Sequence, residues 1–378
     1  MELADTLEER TFRAEIRDWL ADHVPRSPLP SGDTRGGFAR HLEWERELFE
    51  SRWSVVSWPK EYGGRDATVW EWLIFEEEYY LANAPQRVTQ NGIFLLAPSI
   101  FTFGTDAQRS SLLPPMASAQ QVWCQGWSEP GSGSDLASIR SSATRDPGGC
   151  GWRLSGHKTW TTRGAFCTHL FGLFRSDPDS TRHQGLTYFL VPLDLPGVTV
   201  KGFSRLDGDE GFAEVFFDDV LVGDGAVLGS AGQGWTVAMS TTGSERGLTL
   251  RSPGRFSATV ERLRQLALRE GPLGEVARHR VARAWMGAEA YRLFTLKQVT
   301  SMIEGLARDA ESSLNKVYWS ELDLMIHETA ESLLGSRAEV DGAWARGYMF
   351  SLAGPIYAGT NEIQRNIIAE RLLGLPRR

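Results

Sequence analysis

The sequence predicts an α+β chain in three parts. Residues 1–121 form an N-terminal helical domain, 122–228 a central β-barrel or sandwich, and 229–378 a C-terminal helical bundle. Three observations predict it. Apolar residues recur at helical spacing through the first third of the chain. Short β-rich runs separated by turn residues fill the middle. Helical periodicity returns from Gly232 and lasts to the end.

Taken in order, residues 6–23 read as an amphipathic helix, with Leu7, Phe12, Ile16, Trp19 and Leu20 recurring between charges. Residues 24–37 are rich in Pro, Ser and Gly and read as a loop. Helical spacing resumes over 38–51, and Trp58-Pro59-Lys60-Glu61-Tyr62-Gly63-Gly64 breaks it. The next helix, over 69–84, carries Glu76, Glu77 and Glu78 in succession. On a helix, adjacent side chains point in different directions, so these three are expected on a solvated face rather than at one acid–base or metal site. Helices over 90–103 and 106–118 complete the first domain. The β-rich runs cover 124–127, 152–160, 169–174, 186–192, 198–202 and 213–217. Turn residues separate them, as in Asp146-Pro147-Gly148-Gly149 and Asp207-Gly208-Asp209.

A chain of 378 residues with 41% hydrophobic content suits two or three domains with sizeable cores. A net charge of −8 argues against a nucleic-acid partner, which wants a basic face. Lys60, Lys158, Lys201, Lys297 and Lys316 are the only lysines; arginine supplies the other positive charges, as GC-rich bacterial genomes encode. Cys124, Cys150 and Cys167 lack CxxC spacing, so neither a disulfide framework nor a zinc site is expected, and no other metal site. A reducing bacterial cytoplasm fits. The start, Met1-Glu2-Leu3-Ala4-Asp5, is acidic and shows no secretory pattern. The most apolar run, 93–103, is too short for a membrane span and reads as a buried helix. Most of the 14 tryptophans are expected in cores or interfaces.

The stretch that organises the rest is Ser128-Glu129-Pro130-Gly131-Ser132-Gly133-Ser134-Asp135, directly after the strand-like Val122-Trp123-Cys124-Gln125-Gly126-Trp127. Pro130 fixes φ, and Gly131 and Gly133 admit backbone angles that other residues avoid. A strand running into such a turn can lay backbone N–H groups and hydroxyls against a flat polar ligand. Three further segments bear on that reading: Lys158-Thr159-Trp160-Thr161-Thr162, Phe216-Phe217-Asp218-Asp219-Val220, and Ile356-Tyr357-Ala358-Gly359-Thr360-Asn361-Glu362-Ile363-Gln364-Arg365. In this order and spacing the chain resembles the acyl-CoA dehydrogenase family of flavoproteins nearly end to end. The resemblance implies that family's fold and an FAD cofactor. It places Gln125, Trp127 and Ser128 at the flavin ring, Ser134 at its pyrimidine edge, and Trp160 and Thr162 flanking it. Thr360 follows a glycine and precedes the amphipathic Ile363, Ile367, Ile368 and Leu372, which is an N-cap position. Thr360 fits the family's diphosphate contact, and Glu362 the adenosine side. Without the motif, Trp160 would read as a core tryptophan at a strand end.

The reaction implied is α,β-dehydrogenation of an acyl thioester, which needs a carboxylate base and donors to the carbonyl. Many members place the glutamate between the Tyr and Gly of the C-terminal motif, and here that residue is Ala358. A subset that includes isovaleryl and long-chain types places it on an earlier helix. The stretch Gly234-Trp235-Thr236-Val237-Ala238-Met239 leading to Glu245-Arg246 fits that pattern. Trp235, Ala238, Thr242, Glu245 and Thr249 share one helical stripe. Glu245 is therefore the expected base and Arg246 an orienting residue, while the backbone N–H of Ala358 can still serve the thioester oxygen. The chain departs from the family at 268–274, where an Arg-x-x-Phe-Gly element contacting the partner's FAD is usual, and at Glu331 or Ser332, where a Gln is usual. The implied partners are an acyl-CoA or carrier-protein thioester and an electron-transfer flavoprotein. A homo-oligomer, dimer or tetramer, is expected, with a mixed complex of two chains open. A non-catalytic subunit of such a complex and an oxidase are the other readings.

Overall fold

The computed structural model describes residues 4–246, 252–306, 310–340 and 342–376, with only the backbone of 243–246. Helices α1 (Leu7–His23), α2 (Arg35–Glu50), α3 (Val69–Leu81), α4 (Ala97–Phe103) and α5 (Asp106–Ala117) come first. Strands β1 (Trp123–Gly126), β2 (Ser142–Arg145), β3 (Trp152–Thr162), β4 (His169–Arg175), β5 (Leu186–Pro192), β6 (Val198–Phe203) and β7 (Phe212–Val222) follow. Helices α6 (Gly234–Arg246), α7 (Pro253–Arg269), α8 (Glu275–Ile303), α9 (Glu311–Leu334), α10 (Ala343–Ser351) and α11 (Asn361–Ile367) complete the chain. These elements divide into two compact units. One contains Ser27–Asp66 and Pro85–Glu245; the other contains Met1–Arg26, Ala67–Ala84 and Arg246–Arg378.

The first unit is built on one sheet, in the order β1-β4-β2-β3-β7-β6, with β5 pairing β4 off that path. The β1–β4 pair is parallel, and β3–β7, β6–β7 and β4–β5 are antiparallel. Cys124, Leu154, Phe174, Phe189, Val215 and Val220, from five strands, meet in one buried cluster, so the sheet folds over a single core. The β2 strand was not expected from sequence. Its Ser-Ala-Thr-Arg run buries only Ala143, and pairing with β3 defines it. The apolar run before α4 opens as a π-helical turn, Asn91–Leu96, and Ile93, Leu95 and Leu96 are buried.

The second unit begins with α1. Thr6 and Glu9 form a capping box that closes its first turn, and Phe12, Ile16 and Leu20 are its buried face. Thr68 and Glu71 cap α3 in the same way. The expected solvated face at Glu76–Glu78 is corrected: Glu76 and Glu78 are 4% and 5% exposed. Their helix packs against α1, whose Arg13 reaches Glu77 at 3.0 Å and Glu78 at 2.9 Å, while Arg17 reaches Glu78 at 2.8 Å. Burial pushes the Glu78 carboxyl upward, but the two guanidinium groups win and hold it below the usual range. Phe256, Val260 and Leu263 of α7 pack with Ala288 and Tyr291 of α8 and Trp319, Leu322 and Ile326 of α9. No described helix is long and apolar enough to cross a membrane.

Gly254 lets α7 approach α3. A Cβ there would lie 2.8 Å from the Glu77 Cα and 2.9 Å from the Glu76 carbonyl oxygen. Alanine ordinarily gains about 1 kcal/mol over glycine in a helix. Here the clash is with backbone, which cannot swing away, and overpacking costs about 1–3 kcal/mol. Gly254→Ala is therefore expected to lower the thermal midpoint; a rise would show that the two helices separate freely.

Candidate active site

The first unit carries most of the residues singled out from sequence. β1 ends at Gly126, and the chain turns through Trp127 and Ser128. Glu129 and Ser132 close the turn with reciprocal backbone bonds of 2.9 and 3.0 Å. The Ser132 hydroxyl donates to the Asp135 carbonyl at 2.6 Å, and Ser138 donates to the same carbonyl at 2.7 Å. Gly131 and Gly133 do not use the backbone angles reserved for glycine; neither has positive φ. A Cβ on either would meet nothing within 4 Å, so their contribution is open space beside the turn.

β3 and the segment just before β2 hold the turn. The Thr159 N–H donates to the Ser128 carbonyl at 2.9 Å. Lys158 Nζ donates to the Glu129 carboxylate at 2.8 Å, and Glu129 also accepts from the N–H groups of Arg140 and Ser141 at 2.7 and 2.9 Å. This buried pair was not singled out from sequence. Its only sequence trace is that one of five lysines falls inside a motif.

Two residues beyond Lys158, Trp160 has φ +58° and is 61% exposed. It is not a core tryptophan. A left-handed backbone at a bulky residue is unfavourable and marks a position that the surroundings force. Phe203 and Phe212 meet the ring edge-on at 5.3 and 5.5 Å and hold it upright. Thr162 is half-buried at the end of β3, opposite Phe212. Gln125 is half-buried on β1 opposite Phe171, and Ser134 is exposed.

Side-chain polar groups of Gln125, Ser128, Ser134 and Thr162 have no hydrogen-bond partner among the described residues. The buried Trp127 Nε1 and Thr161 Oγ1 also lack one. An orphaned buried group such as Trp127 Nε1 costs about 1–3 kcal/mol, whereas the half-buried and exposed groups of Gln125, Ser128, Ser134 and Thr162 are open to solvent or to a ligand. Unpaired donors and acceptors, open space at two glycines and an upright exposed indole fit a planar ring with a polar edge. That is the shape and chemistry of a flavin.

The α6 helix follows the sheet. Val237, Ala238, Thr241 and Thr242 are buried along it, and Trp235 is half-buried with its ring 5.7 Å from that of His183. Thr241 shares a hydrogen bond of 2.7 Å with Ser99. Glu245 and Arg246 close the helix. Their side chains lie outside the described residues, as does Thr249.

The second unit holds the remaining positions. Ala358 has φ +58°, and its carbonyl accepts from Gln364 Nε2 at 3.1 Å. Thr360 is the N-cap of α11 and accepts from the Ile363 N–H at 3.3 Å. Glu362 is exposed; its own backbone N–H and the Thr360 hydroxyl hold its carboxyl below the usual range. The buried face of α11 is not its isoleucines. Asn361 and Gln364 are buried, while Ile363, Ile367, Ile368 and Leu372 are half-exposed. The reason is a polar anchor: fully buried Lys316 donates to Asn361 Oδ1 at 2.8 Å, and Ser320 donates to the same atom at 3.1 Å.

Family models for the acyl-CoA dehydrogenase N-terminal, middle and C-terminal domains match residues 6–120, 124–220 and 232–373. The chain is 38% identical to acyl-CoA dehydrogenase IpdE1 of Mycolicibacterium smegmatis, over 98% of this chain and 99% of that protein. Among solved structures it is similar to the ChsE4-ChsE5 complex from Mycobacterium tuberculosis, with TM-score 0.85, 27% identity and 100% of both chains covered. It is also similar to a variant of the Tcur3481-Tcur3483 steroid ACAD, with TM-score 0.88, 25% identity and 98% and 99% coverage. The chain belongs to the acyl-CoA dehydrogenase family, and its cofactor is FAD.

Proposed function

We propose that this protein removes the α and β hydrogens of an acyl-CoA thioester, with Glu245 as the base. The observation that carries the reading is the half-buried Ser128 at the end of β1, tied to β3 beside the exposed Trp160, with open space at Gly131 and Gly133. Gln125, Trp127, Ser128, Ser134, Trp160 and Thr162 would hold the flavin ring, Thr360 the diphosphate, and Glu362 the adenosine side. When bound, FAD supplies the acceptor for the hydrogen that leaves the β-carbon as hydride. Glu245 takes the α-proton, Arg246 orients the groups beside it, and the Ala358 N–H donates to the thioester carbonyl as charge builds there. An electron-transfer flavoprotein is the electron acceptor, and the bacterial cytoplasm is the setting.

The test is anaerobic bleaching of the bound flavin. Straight-chain, branched and ring-bearing acyl-CoA thioesters are compared with the same acyl groups on a carrier protein. Ring-bearing substrates belong in the panel because one solved relative is named a steroid ACAD. Bleaching by a CoA thioester is the expected result. Bleaching by none of the CoA panel overturns the reading, and bleaching by carrier-bound substrates alone moves the protein to a biosynthetic role.

A second reading is favoured by Ala358, by the missing Arg-x-x-Phe-Gly element at 268–274, and by similarity to a ChsE4-ChsE5 complex. In it, this chain works beside a different chain instead of forming a homodimer or homotetramer. Protein that purifies alone without flavin, and gains it on mixing with a second family chain, supports this.

A further inference from the structure

We propose that the buried Lys158–Glu129 pair is the positioning device of the flavin-facing turn, fixing Trp127 and Ser128 against the strand end that carries Trp160. This rests on the reading of Ser128 and Trp160 as walls of the flavin site. Lys158 is wholly buried on β3, and Glu129 is 9% exposed in the turn. Lys158 Nζ donates to Glu129 Oε1 at 2.8 Å and, more weakly, to the Trp127 carbonyl at 3.4 Å. The next β3 residue donates its N–H to the Ser128 carbonyl at 2.9 Å. Three consecutive turn residues are therefore tied to two consecutive strand residues, and Trp160 is the next residue along. The second carboxylate oxygen of Glu129 accepts from the Arg140 N–H at 2.7 Å and so joins the far side of the turn to the same pair.

A structural role alone accounts poorly for this arrangement. A buried ion pair is a weak source of stability, and apolar or neutral replacements of both partners often keep a fold intact. Such replacements do not keep a charged grip on a carbonyl and a carboxylate. Glu129 is the titratable group that faces Lys158; the surfaces packed on the lysine from the turn, β4 and β7 present Trp127, Phe174 and Val215. Burial lowers the Lys158 ammonium to about 8, against the opposing pull of Glu129. The grip is charged below that pH and is lost above it.

The test measures the FAD dissociation constant by flavin fluorescence from pH 6.5 to about 9.5. It compares wild type, the double variant Lys158→Met/Glu129→Gln, and Trp160→Ala. The double variant is expected to keep its melting temperature within a few degrees. It should bind FAD about tenfold more weakly below pH 8, as expected for loss of a charge-assisted contact. Wild-type affinity should fall as pH rises through about 8, while the double variant stays flat. A double variant with wild-type affinity and the wild-type pH profile overturns the proposal. Should that variant fail to fold, Glu129→Gln, which keeps the size and reach of the side chain, is measured in its place, and wild-type FAD affinity there overturns the proposal. Trp160→Ala separates the two levels. If it binds FAD normally, the wall reading falls and this proposal with it; if it binds weakly while the pair variant binds normally, only this proposal falls.

Discussion

Glu245→Gln is expected to lower turnover by about three orders of magnitude while FAD remains bound and oxidised in the presence of substrate. Glutamine keeps the size and hydrogen-bonding reach of the side chain but cannot take a proton. The expectation rests on two sequence facts: Ala358 occupies the place where many family members carry their base, and the stretch from Gly234 to Arg246 matches the alternative placement. The α6 backbone runs to that residue as one continuous helix. The measurement is single-turnover flavin reduction with a good acyl-CoA substrate, alongside the flavin-to-protein absorbance ratio. Normal reduction by the variant would place the base elsewhere. Loss of flavin would instead report a folding or binding defect, which the absorbance ratio separates from chemistry.

Arg87→Ala is expected to destabilise the protein by about 3–5 kcal/mol, because it strands a buried carboxylate. Arg87 and Glu45 side chains are 3% and 1% exposed, with Nε to Oε2 at 2.6 Å. Arg87 also donates to the Ser54 carbonyl at 2.7 Å, and Glu45 accepts from the Val88 N–H at 2.8 Å. The pair thus ties α2 to the segment leading into the π-helical turn. Roughly 2–4 °C per kcal/mol for a unit of this size makes the loss easy to see in a melting curve. Replacing both partners, as Arg87→Met/Glu45→Leu, should cost less than Arg87→Ala alone. A single variant that melts like wild type would mean water reaches Glu45 in its place.

What the sequence revealed and what it hid have physical causes. Strands made of continuous apolar, aromatic and β-branched runs, such as β4 and β5, could be read directly, because such a run bounded by turn residues is local information. β2 could not be: Ser142 to Arg145 has no such pattern, and only its partner makes it a strand. The turn at Ser128 was legible as a motif, but its mechanics were misassigned to Gly131 and Gly133. The closing work falls to Glu129 and Ser132, which bond to each other, and to Lys158, which reaches Glu129 from 29 residues away. Charge misled in the same way. Glu78 looks solvated along its own helix and is buried because Arg13 and Arg17 arrive from another. On α11, isoleucines suggested the inward face, whereas Asn361 turns in toward a lysine 45 residues earlier. Polar burial is set by distant partners, and local periodicity carries no trace of them.

The grouping of α1 and α3 with the C-terminal helices bears on how the chain matures. The sheet-bearing unit is complete once synthesis has passed Glu245, but the other must wait for segments made last. Until then Phe12, Ile16 and Leu20 lack the helices of their own unit that are still to be made. Joining both ends of a polypeptide this long is slow, and exposed apolar faces invite aggregation meanwhile. A nascent chain halted short of α7 should therefore present α1 to chaperones and proteases, although every residue of α1 has already left the ribosome.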